Sequence, residues 1–141
     1  MDFYLEEKEG TKTRFNFPII PNKVNVTSGA NTIPINIIKA GEMRIPRGEK
    51  ATGYSFEGMF PGESMAAQTF VTDWQSPKLI VDLLEKWKKN GTTLLFMVGE
   101  FINDDVFIET FNREFFGLNH VRFNITLTRK PSMTISTSPA P

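Results

Sequence analysis

The sequence contains no cysteine and one histidine, His120, among its 141 residues. Without cysteine there is no disulfide, no thiolate metal site and no cysteine nucleophile. A catalytic triad or a histidine-rich metal site needs more partners than one histidine offers. We interpret His120 as a turn residue, and not as a catalytic base or a metal ligand.

Long apolar runs and an excess of charge of one sign are also missing. No apolar run approaches the roughly 20 residues of a membrane-spanning helix, and the acidic amino terminus, MDFYLEEKEG, lacks the regions of a signal peptide. Sixteen basic and sixteen acidic residues give a formal net charge of zero, which argues against a general polyanion binder. We expect no membrane span and no sequence-specific nucleic-acid partner.

Motifs for cofactors, metals and catalysis are absent as well. The ten glycines form neither GxGxxG nor a GxxxxGK run followed by Ser or Thr, so no phosphate cradle is indicated. The segment 103–105, Asn-Asp-Asp, lacks the alternating ligands and distal glutamate of a calcium loop. Glu100, Glu109 and Glu114 are expected to be exposed strand charges. No set of acid, base and nucleophile emerges, so we expect no cofactor, no metal and no enzymatic activity.

One stretch, SPKLIVDLLEKWKKNG at 76–91, has the pattern of a helix. Ser76 can cap the first free backbone amides, and Pro77 suits the first helical position. The apolar side chains that share one face at helical spacing are Leu79, Ile80, Leu83, Leu84 and Trp87. Asn90-Gly91 supplies a left-handed stop. The pattern predicts a helix over about 77–90 whose apolar stripe lies on a sheet.

Most of the remaining chain alternates between apolar and polar residues, as half-buried strands do. The predicted strands are residues 2–5, 12–17, 24–27, 33–38, 42–45, 54–60, 93–98, 106–111 and 121–128, with a short extended piece at 69–72. Pro34 indicates a sheet edge, and Gly58 suggests a bulge. The nearly all-apolar run at 93–98 predicts a strand buried on both faces. Turns are predicted at 103–105 and 117–120.

These segments predict an α+β domain of mostly antiparallel β structure, either a sandwich or a partly open barrel, with the helix packed on the sheet. Thirteen phenylalanines indicate a phenylalanine-rich core. We assign residues 1–129 to a single domain, a size that one core can support. Residues 130–141, KPSMTISTSPAP, are dominated by Ser, Thr and Pro and are predicted to form a flexible tail.

Several motifs occur together in a characteristic order. They are FPIIP at 17–21, the turn at 41–42, YSFEGMFP at 54–61, the proline-started helix ending in WKKNG at 87–91, and VRFNITL at 121–127. In order and spacing, residues 1–130 resemble the amino-terminal domain of the LysM-bearing tail protein of PBSX-type defective prophages and related contractile phage tails. The LysM module of that family has no counterpart in the 141 residues.

The resemblance implies a structural component of a contractile phage tail or tail-like particle. Proteins of that family look like baseplate adaptors near the hub, which join hub, tube or wedge proteins in several copies, a hexameric ring being one arrangement. Such a protein is made in the host bacterial cytoplasm and ends in the virion tail. Two alternatives stay open. A tail-tube or distal-tail protein would close a ring by itself, and a carbohydrate-binding β domain would bind a glycan as a monomer.

Side chains that strand patterning leaves outside the core are candidate contacts with a protein partner. They are Met59, Met65, Trp74, Phe115, Phe116, Arg129, Lys130 and Pro131. Protein interfaces favour aromatic residues, Met and Arg. Trp74 has a second interpretation, a hydrophobic staple before the helix. Residues 129–141 are also a candidate extended arm that lies along a neighbouring subunit.

Overall fold

A computed structural model describes residues 2–29, 31–37 and 51–130 of the chain. The strands in this part are β1 (Phe3–Glu7), β2 (Arg14–Asn16), β3 (Lys23–Ser28), β4 (Asn31–Asn36), β5 (Gly53–Phe60), β6 (Leu94–Val98), β7 (Ile102–Phe116) and β8 (His120–Arg129). The helix is α1 (Pro77–Asn90), and a short 3-10 turn spans Glu63–Met65. The strand predicted at 42–45, the contact residue Pro131 and the tail from 131 onward lie outside the described residues.

All eight strands belong to one antiparallel sheet in the order β2-β1-β6-β7-β8-β5-β3-β4. This arrangement confirms the predicted α+β class with mostly antiparallel structure. Among the described strands the sheet is not closed, and β2 and β4 are its edges. Pro34 lies in β4 and confirms the predicted edge position, since proline cannot donate to a central ladder.

The sheet curls strongly, so that side chains on its inner face contact one another across strands that are not neighbours in the sheet. Three strands separate β1 from β5, and a flat sheet would place these two strands about 19 Å apart. The ring centroids of Phe3 in β1 and Phe56 in β5 are nevertheless 5.2 Å apart. The fold therefore corresponds to the predicted partly open barrel, and not to a sandwich of two separate sheets.

Phenylalanine rings fill the inside of this curl, as predicted. Those that contact one another there are Phe3, Phe15, Phe17, Phe56, Phe60, Phe96 and Phe123, all buried. Phe60 and Phe123 stack with centroids 4.2 Å apart. Each buried aromatic ring removes roughly 150–250 Å² of surface from water. Hydrophobic burial thus joins strands that are distant in the sheet order.

The helix lies on the same inner face of the sheet. Its buried side chains are Pro77, Ile80, Val81, Leu84 and Trp87. Trp87 Nε1 donates to Glu7 Oε2 at 2.8 Å, and Glu7 pairs across the sheet with the buried Leu94. An ion pair of 3.1 Å joins Glu85 of the helix to Arg113 of β7. The Trp87 hydrogen bond is the main reason that the pKa of Glu7 lies below its usual 4.5.

The extent of α1 is as predicted, and Gly91 with φ 61° ends it, but two details differ. Leu79 is 61% exposed. The buried stripe is centred on Ile80 and Trp87, and position 79 points about 100° away from Ile80 around the helix. The Ser76 side chain makes no capping hydrogen bond. Its carbonyl instead accepts from Ile80 N at 3.1 Å.

The turn predicted at 103–105 is wrong, because β7 runs through these residues. The chain reverses at 99–101 instead, where Gly99 has φ 51°. Asp104 lies on the inner side of β7 and accepts a hydrogen bond from the Tyr54 hydroxyl. A strand can therefore accommodate this carboxylate, because a partner from another strand satisfies it.

The turn predicted at 117–120 is confirmed for residues 117–119, but His120 pairs with Phe116 and begins β8. The predicted bulge at Gly58 is wrong, since β5 pairs with β8 without a shift. The shift occurs in β7 between Ile108 and Thr110.

Two further strand predictions differ from the structure. Positions in β6 alternate between buried and half-buried, so this strand is fully covered on one face only. Segment 69–72 lies in turns and irregular backbone, and not in an extended piece. In both cases the local residue types are those of strands, but the neighbours in space decide the outcome.

Candidate functional site

A groove of about 980 Å³ lies on the outer face of the sheet, across β3, β5 and β8. Strand pairing defines this face: Asn25 lies opposite Ser55, and Ser55 opposite Thr126. The adjacent row, which includes Tyr54 and Leu127, is buried in the core. Two loops flank the groove, one following β2 and one following β5.

Alternate residues of three strands supply a polar floor. They are Lys23 and Asn25 from β3, Ser55 and Glu57 from β5, and Arg122 and Asn124 from β8. Pairing of Glu57 with Asn124 keeps them on one face, because side chains in a strand alternate with a period of two. The floor offers amides, a hydroxyl and charges of both signs, so it can both donate and accept hydrogen bonds.

Apolar side chains stand beside this floor. They are Ile19, Ile20, Met59, Met65, Phe70 and Phe116. Phe70 is 54% exposed and Ile20 is 36% exposed. Exposed apolar groups that border polar ones are typical of a binding surface.

His120 holds the segment that carries Met65. Its Nδ1 accepts a hydrogen bond from Gly62 N at 2.8 Å, so this nitrogen carries no proton in that contact. Gly62 fits closely, since a Cβ there would lie 2.3 Å from the carbonyl oxygen of Leu118. The 3-10 turn that ends at Met65 starts directly after Gly62. The β7–β8 turn thus sets the position of this side of the groove.

Two more hydrogen bonds fix the flanking loops. Trp74 Nε1 donates to the carbonyl oxygen of Pro61 at 2.9 Å. Thr72 N donates to the carbonyl oxygen of Pro18 at 2.9 Å, which ties the loop after β5 to the loop after β2. Both sides of the groove are therefore held to each other and to the sheet.

Phe116 and Arg122 lie at one end of the groove. The Arg122 guanidinium lies 4.6 Å from the centroid of the Phe116 ring, and its Nη1 lies 3.3 Å from Glu114 Oε1. The Arg122 and Glu114 side chains are 62% and 71% exposed, so this ion pair contributes little stability. The guanidinium–ring contact, about 0.5–1 kcal/mol at an exposed site, helps to hold the Phe116 ring beside the groove.

The groove brings together three of the predicted contact residues, Met59, Met65 and Phe116. Phe115 is 62% exposed, but it alternates with Phe116 along β7 and projects from the other side of the strand. Trp74 is half-buried and its indole nitrogen is bonded to Pro61. Neither Phe115 nor Trp74 lines the groove.

The polar floor of the groove was not predicted as a contact surface, and among the apolar side chains beside it Ile19, Ile20 and Phe70 were not predicted either. Ile19 and Ile20 lie in the proline-bounded loop after β2, and Phe70 lies in a segment that was predicted to be extended but forms turns. Strand alternation therefore assigns none of the three side chains to a face. The signal that could have identified them is the residue type. Large apolar side chains in such loops have no core to enter, and so they mark a surface that another molecule can cover.

Arg129 and Lys130 lie at the other end of β8 and bind within the chain. Arg129 Nε is 3.7 Å from Asp104 Oδ1, and Lys130 Nζ is 2.7 Å from Thr93 Oγ1. Burial, followed by the hydrogen bond to Asp104, raises the pKa of Tyr54 well above its usual value. These predicted contact residues are part of the fold where the described chain ends, and not part of the groove.

Within the described ranges, no group of three or more His, Asp or Glu side chains could hold a metal ion. In the same part of the chain, no helix has the length and apolar character needed to cross a bilayer.

No protein family matches the sequence, and no curated protein matches it. The candidate site is thus defined by its geometry, a polar floor between apolar sides that can bind through hydrogen bonds and apolar contacts.

Proposed function

We propose that the protein is a structural component of a contractile phage tail or tail-like particle, acting as a baseplate adaptor near the hub. The groove carries this proposal, because its Met and Phe side chains and Arg122 are types that protein interfaces favour. The order of motifs along residues 1–130 supports the tail context. The activity we assign is the binding of other proteins during assembly.

The size and lining of the groove favour a polypeptide as its ligand. A volume of about 980 Å³ is at the upper end of the roughly 300–1,000 Å³ typical of small-molecule sites. The flexible thioethers of Met59 and Met65 can adapt to the side chains of a partner. A bound protein segment would also cover Ile20 and Phe70, which are now in contact with water.

The partners that we propose are hub, tube or wedge proteins, met by several copies of this chain. Assembly would take place in the host bacterial cytoplasm, and the protein would then remain in the virion tail. The hydrogen bonds at Gly62 and Thr72 hold the groove in a fixed shape before binding. A preformed surface supports this role, because less conformational freedom is lost on association.

The mass of the purified protein in solution tests the proposal, measured alone and with hub and tube proteins of a contractile tail. We expect a stable complex with at least one of them. The double variant Met65→Ser/Phe70→Ser should weaken that complex by roughly tenfold or more, because a few large side chains at the centre of an interface contribute most of its binding energy, each over about 1 kcal/mol. Leu79→Ser, at a 61% exposed position on α1, is the matched control and should bind normally. A protein that ignores both partners contradicts the proposal.

Carbohydrate binding is a second candidate, favoured by one observation. The exposed Phe70 ring shares the groove with the amides of Asn25 and Asn124, and sugars present both apolar faces and hydroxyls to such groups. A glycan array separates the two proposals. Binding of a glycan by the monomer, lost in Asn124→Ala, would support the carbohydrate role, and an array without signal would reject it.

A further inference from the structure

We propose that His120 is a pH-sensitive switch for one side of the groove, and that its protonation releases the segment that carries Met65. A neutral imidazole has a proton on one ring nitrogen and an acceptor lone pair on the other. His120 Nδ1 accepts a hydrogen bond from Gly62 N at 2.8 Å, so the proton of the neutral ring is on Nε2. In the protonated ring both nitrogens are donors, and the hydrogen bond to Gly62 is lost.

The protonated ring and the Gly62 amide cannot keep their positions. A hydrogen bond leaves about 1.9 Å between the donated proton and its acceptor, so a second proton does not fit between Gly62 N and Nδ1. Gly62 is buried, and a buried amide without an acceptor is unfavourable. One of the two groups must therefore move when the ring is protonated, so that the Gly62 amide reaches water.

The packing around the ring indicates that Gly62 is the group that moves. The centroid of the Phe116 ring lies 5.5 Å from that of His120, and a Cβ at Gly117 would lie 3.2 Å from His120 Cδ2. The imidazole is thus packed against two residues of its own hairpin, and His120 pairs with Phe116 in the sheet. Gly62, by contrast, lies after the end of β5 and outside the strand pairing.

Met65 follows Gly62 in this displacement. Met65 N donates to Gly62 O at 3.0 Å, within the 3-10 turn that starts after Gly62. The Pro61 carbonyl stays bonded to Trp74 Nε1, since neither of these two hydrogen bonds involves a group that titrates. The displacement is thus confined to residues 62–65, and it moves the Met65 thioether that lines the groove.

The charged groups around the ring favour this release. Arg122 lies two residues along β8 on the same face, and its guanidinium is 4.6 Å from the centroid of the same Phe116 ring. Glu114, opposite Arg122 in β7, already pairs with it at 3.3 Å. Glu63 is exposed, so water weakens its attraction for an imidazolium. Protonation therefore adds a second cation beside Arg122, and their repulsion acts together with the loss of the hydrogen bond.

The switch has a defined direction in pH. The hydrogen bond is present while the ring is neutral, and it is lost as pH falls through the range in which the ring gains its proton. Histidine side chains ordinarily titrate between about pH 5 and pH 8, and His120 is the only histidine of the sequence. This inference goes beyond the proposed assembly role, because it concerns the shape of the groove and holds for any molecule that binds there.

A pH titration of the isolated protein by NMR tests the switch without a partner. We expect the His120 ring, the Gly62 amide and the Met65 methyl resonances to shift with one common midpoint. The protection factor of the Gly62 amide, which corrects for the intrinsic pH dependence of hydrogen exchange, should be roughly tenfold lower below that midpoint than above it. His120→Asn is the matched control, because its Oδ1 is as many bonds from the backbone as Nδ1 and does not titrate. In this variant the protection of Gly62 and the Met65 resonance should not change with pH.

Constant Gly62 and Met65 resonances during titration of the ring would overturn the inference, and so would a ring that stays neutral down to about pH 5. Both outcomes need only the wild-type protein. Loss of Gly62 protection without a shift at Met65 would show that the ring moves and the segment does not. A transition that persists in His120→Asn would assign the change to another group. Binding of hub or tube proteins is measured separately, so the switch and the assembly role can each fail without the other.

Discussion

A double-mutant cycle on Phe3 and Phe56 tests the curl of the sheet. Their ring centroids are 5.2 Å apart in an edge-to-face arrangement, although three strands separate β1 from β5. Phe3→Leu and Phe56→Leu each keep an apolar side chain, so each should cost about 1–2 kcal/mol. The double variant then stays folded, given that domains are typically stable by roughly 5–15 kcal/mol.

The interaction free energy between the two substitutions shows whether the Phe3 and Phe56 rings are in contact. Touching aromatic rings should give a coupling of about 0.5–1.5 kcal/mol. Phe111 of β7 provides a matched control, because Ile125 of β8 pairs with both Phe111 and Phe56. Only one strand, β8, therefore separates Phe111 from Phe56. A flat sheet would place Phe111 nearer than Phe3, yet no ring contact joins Phe111 to Phe56 in the described structure. The Phe56–Phe111 cycle should therefore be additive within about 0.5 kcal/mol.

Urea unfolding followed by circular dichroism supplies the free energies of all variants. The dependence of the free energy on urea must stay constant across the set, since a changed slope would indicate a changed unfolded state. A Phe3–Phe56 coupling no larger than the Phe56–Phe111 coupling would refute the curled sheet.

Three further predictions follow from single contacts. Gly62→Ala should destabilise the fold by about 1–3 kcal/mol, because its Cβ would lie 2.3 Å from Leu118 O; wild-type stability in urea would contradict the close fit. His120→Ala removes the acceptor of the Gly62 amide and should speed hydrogen exchange of that amide. Unchanged exchange would show that this hydrogen bond does not protect the Gly62 amide. Trp87→Phe removes the donor to Glu7, whose pKa is lowered in the folded protein. That stabilisation is present above the usual pKa of 4.5 and is lost as pH falls through the folded value, so melting temperatures of wild type and variant should differ less near pH 3 than near pH 7. An equal difference at both pH values would contradict this linkage.

Elements with strong local signals could be predicted from the sequence. Pro77 and Gly91 mark the two ends of α1, and the stripe between them has the helical period. The strict alternation from Val121 to Leu127 predicts β8 and correctly separates its buried row from its outer row. In both elements, the residues that decide the structure are neighbours in the chain.

The predicted turn at 103–105 shows where local composition fails. Asn-Asp-Asp is typical of turns, but Asp104 lies in β7 and is bound by Tyr54 and Arg129. These partners are distant in sequence, so no local pattern could reveal them. Gly99 takes the positive φ that the reversal needs, and it allows β7 to start earlier than predicted.

The groove could not be predicted for a related reason. Alternation along β5 and β8 indicates which side chains face outward, but it does not show that β3 lies beside β5. Its lining extends from Ile19 to Asn124, so it exists only after the sheet order and both loops are in place. Met59 and Met65 were predicted as candidate contacts and both line the groove, but their meeting in one groove depends on tertiary structure.

Strand β5 is the element through which the core and the groove affect each other. Its outer side chains, such as Glu57, can be changed without entering the core, because the inner row alone packs there. Gly58 belongs to the inner row and cannot be changed as freely. A Cβ at this position would lie 3.1 Å from the Phe123 ring, which stacks on Phe60. A larger residue at 58 would displace Phe123 in β8 and with it the neighbouring floor residue Asn124. Loss of binding at an outer position therefore reports on the groove alone, whereas position 58 also contacts the core, and loss of binding there reports on the packing of Phe123 as well.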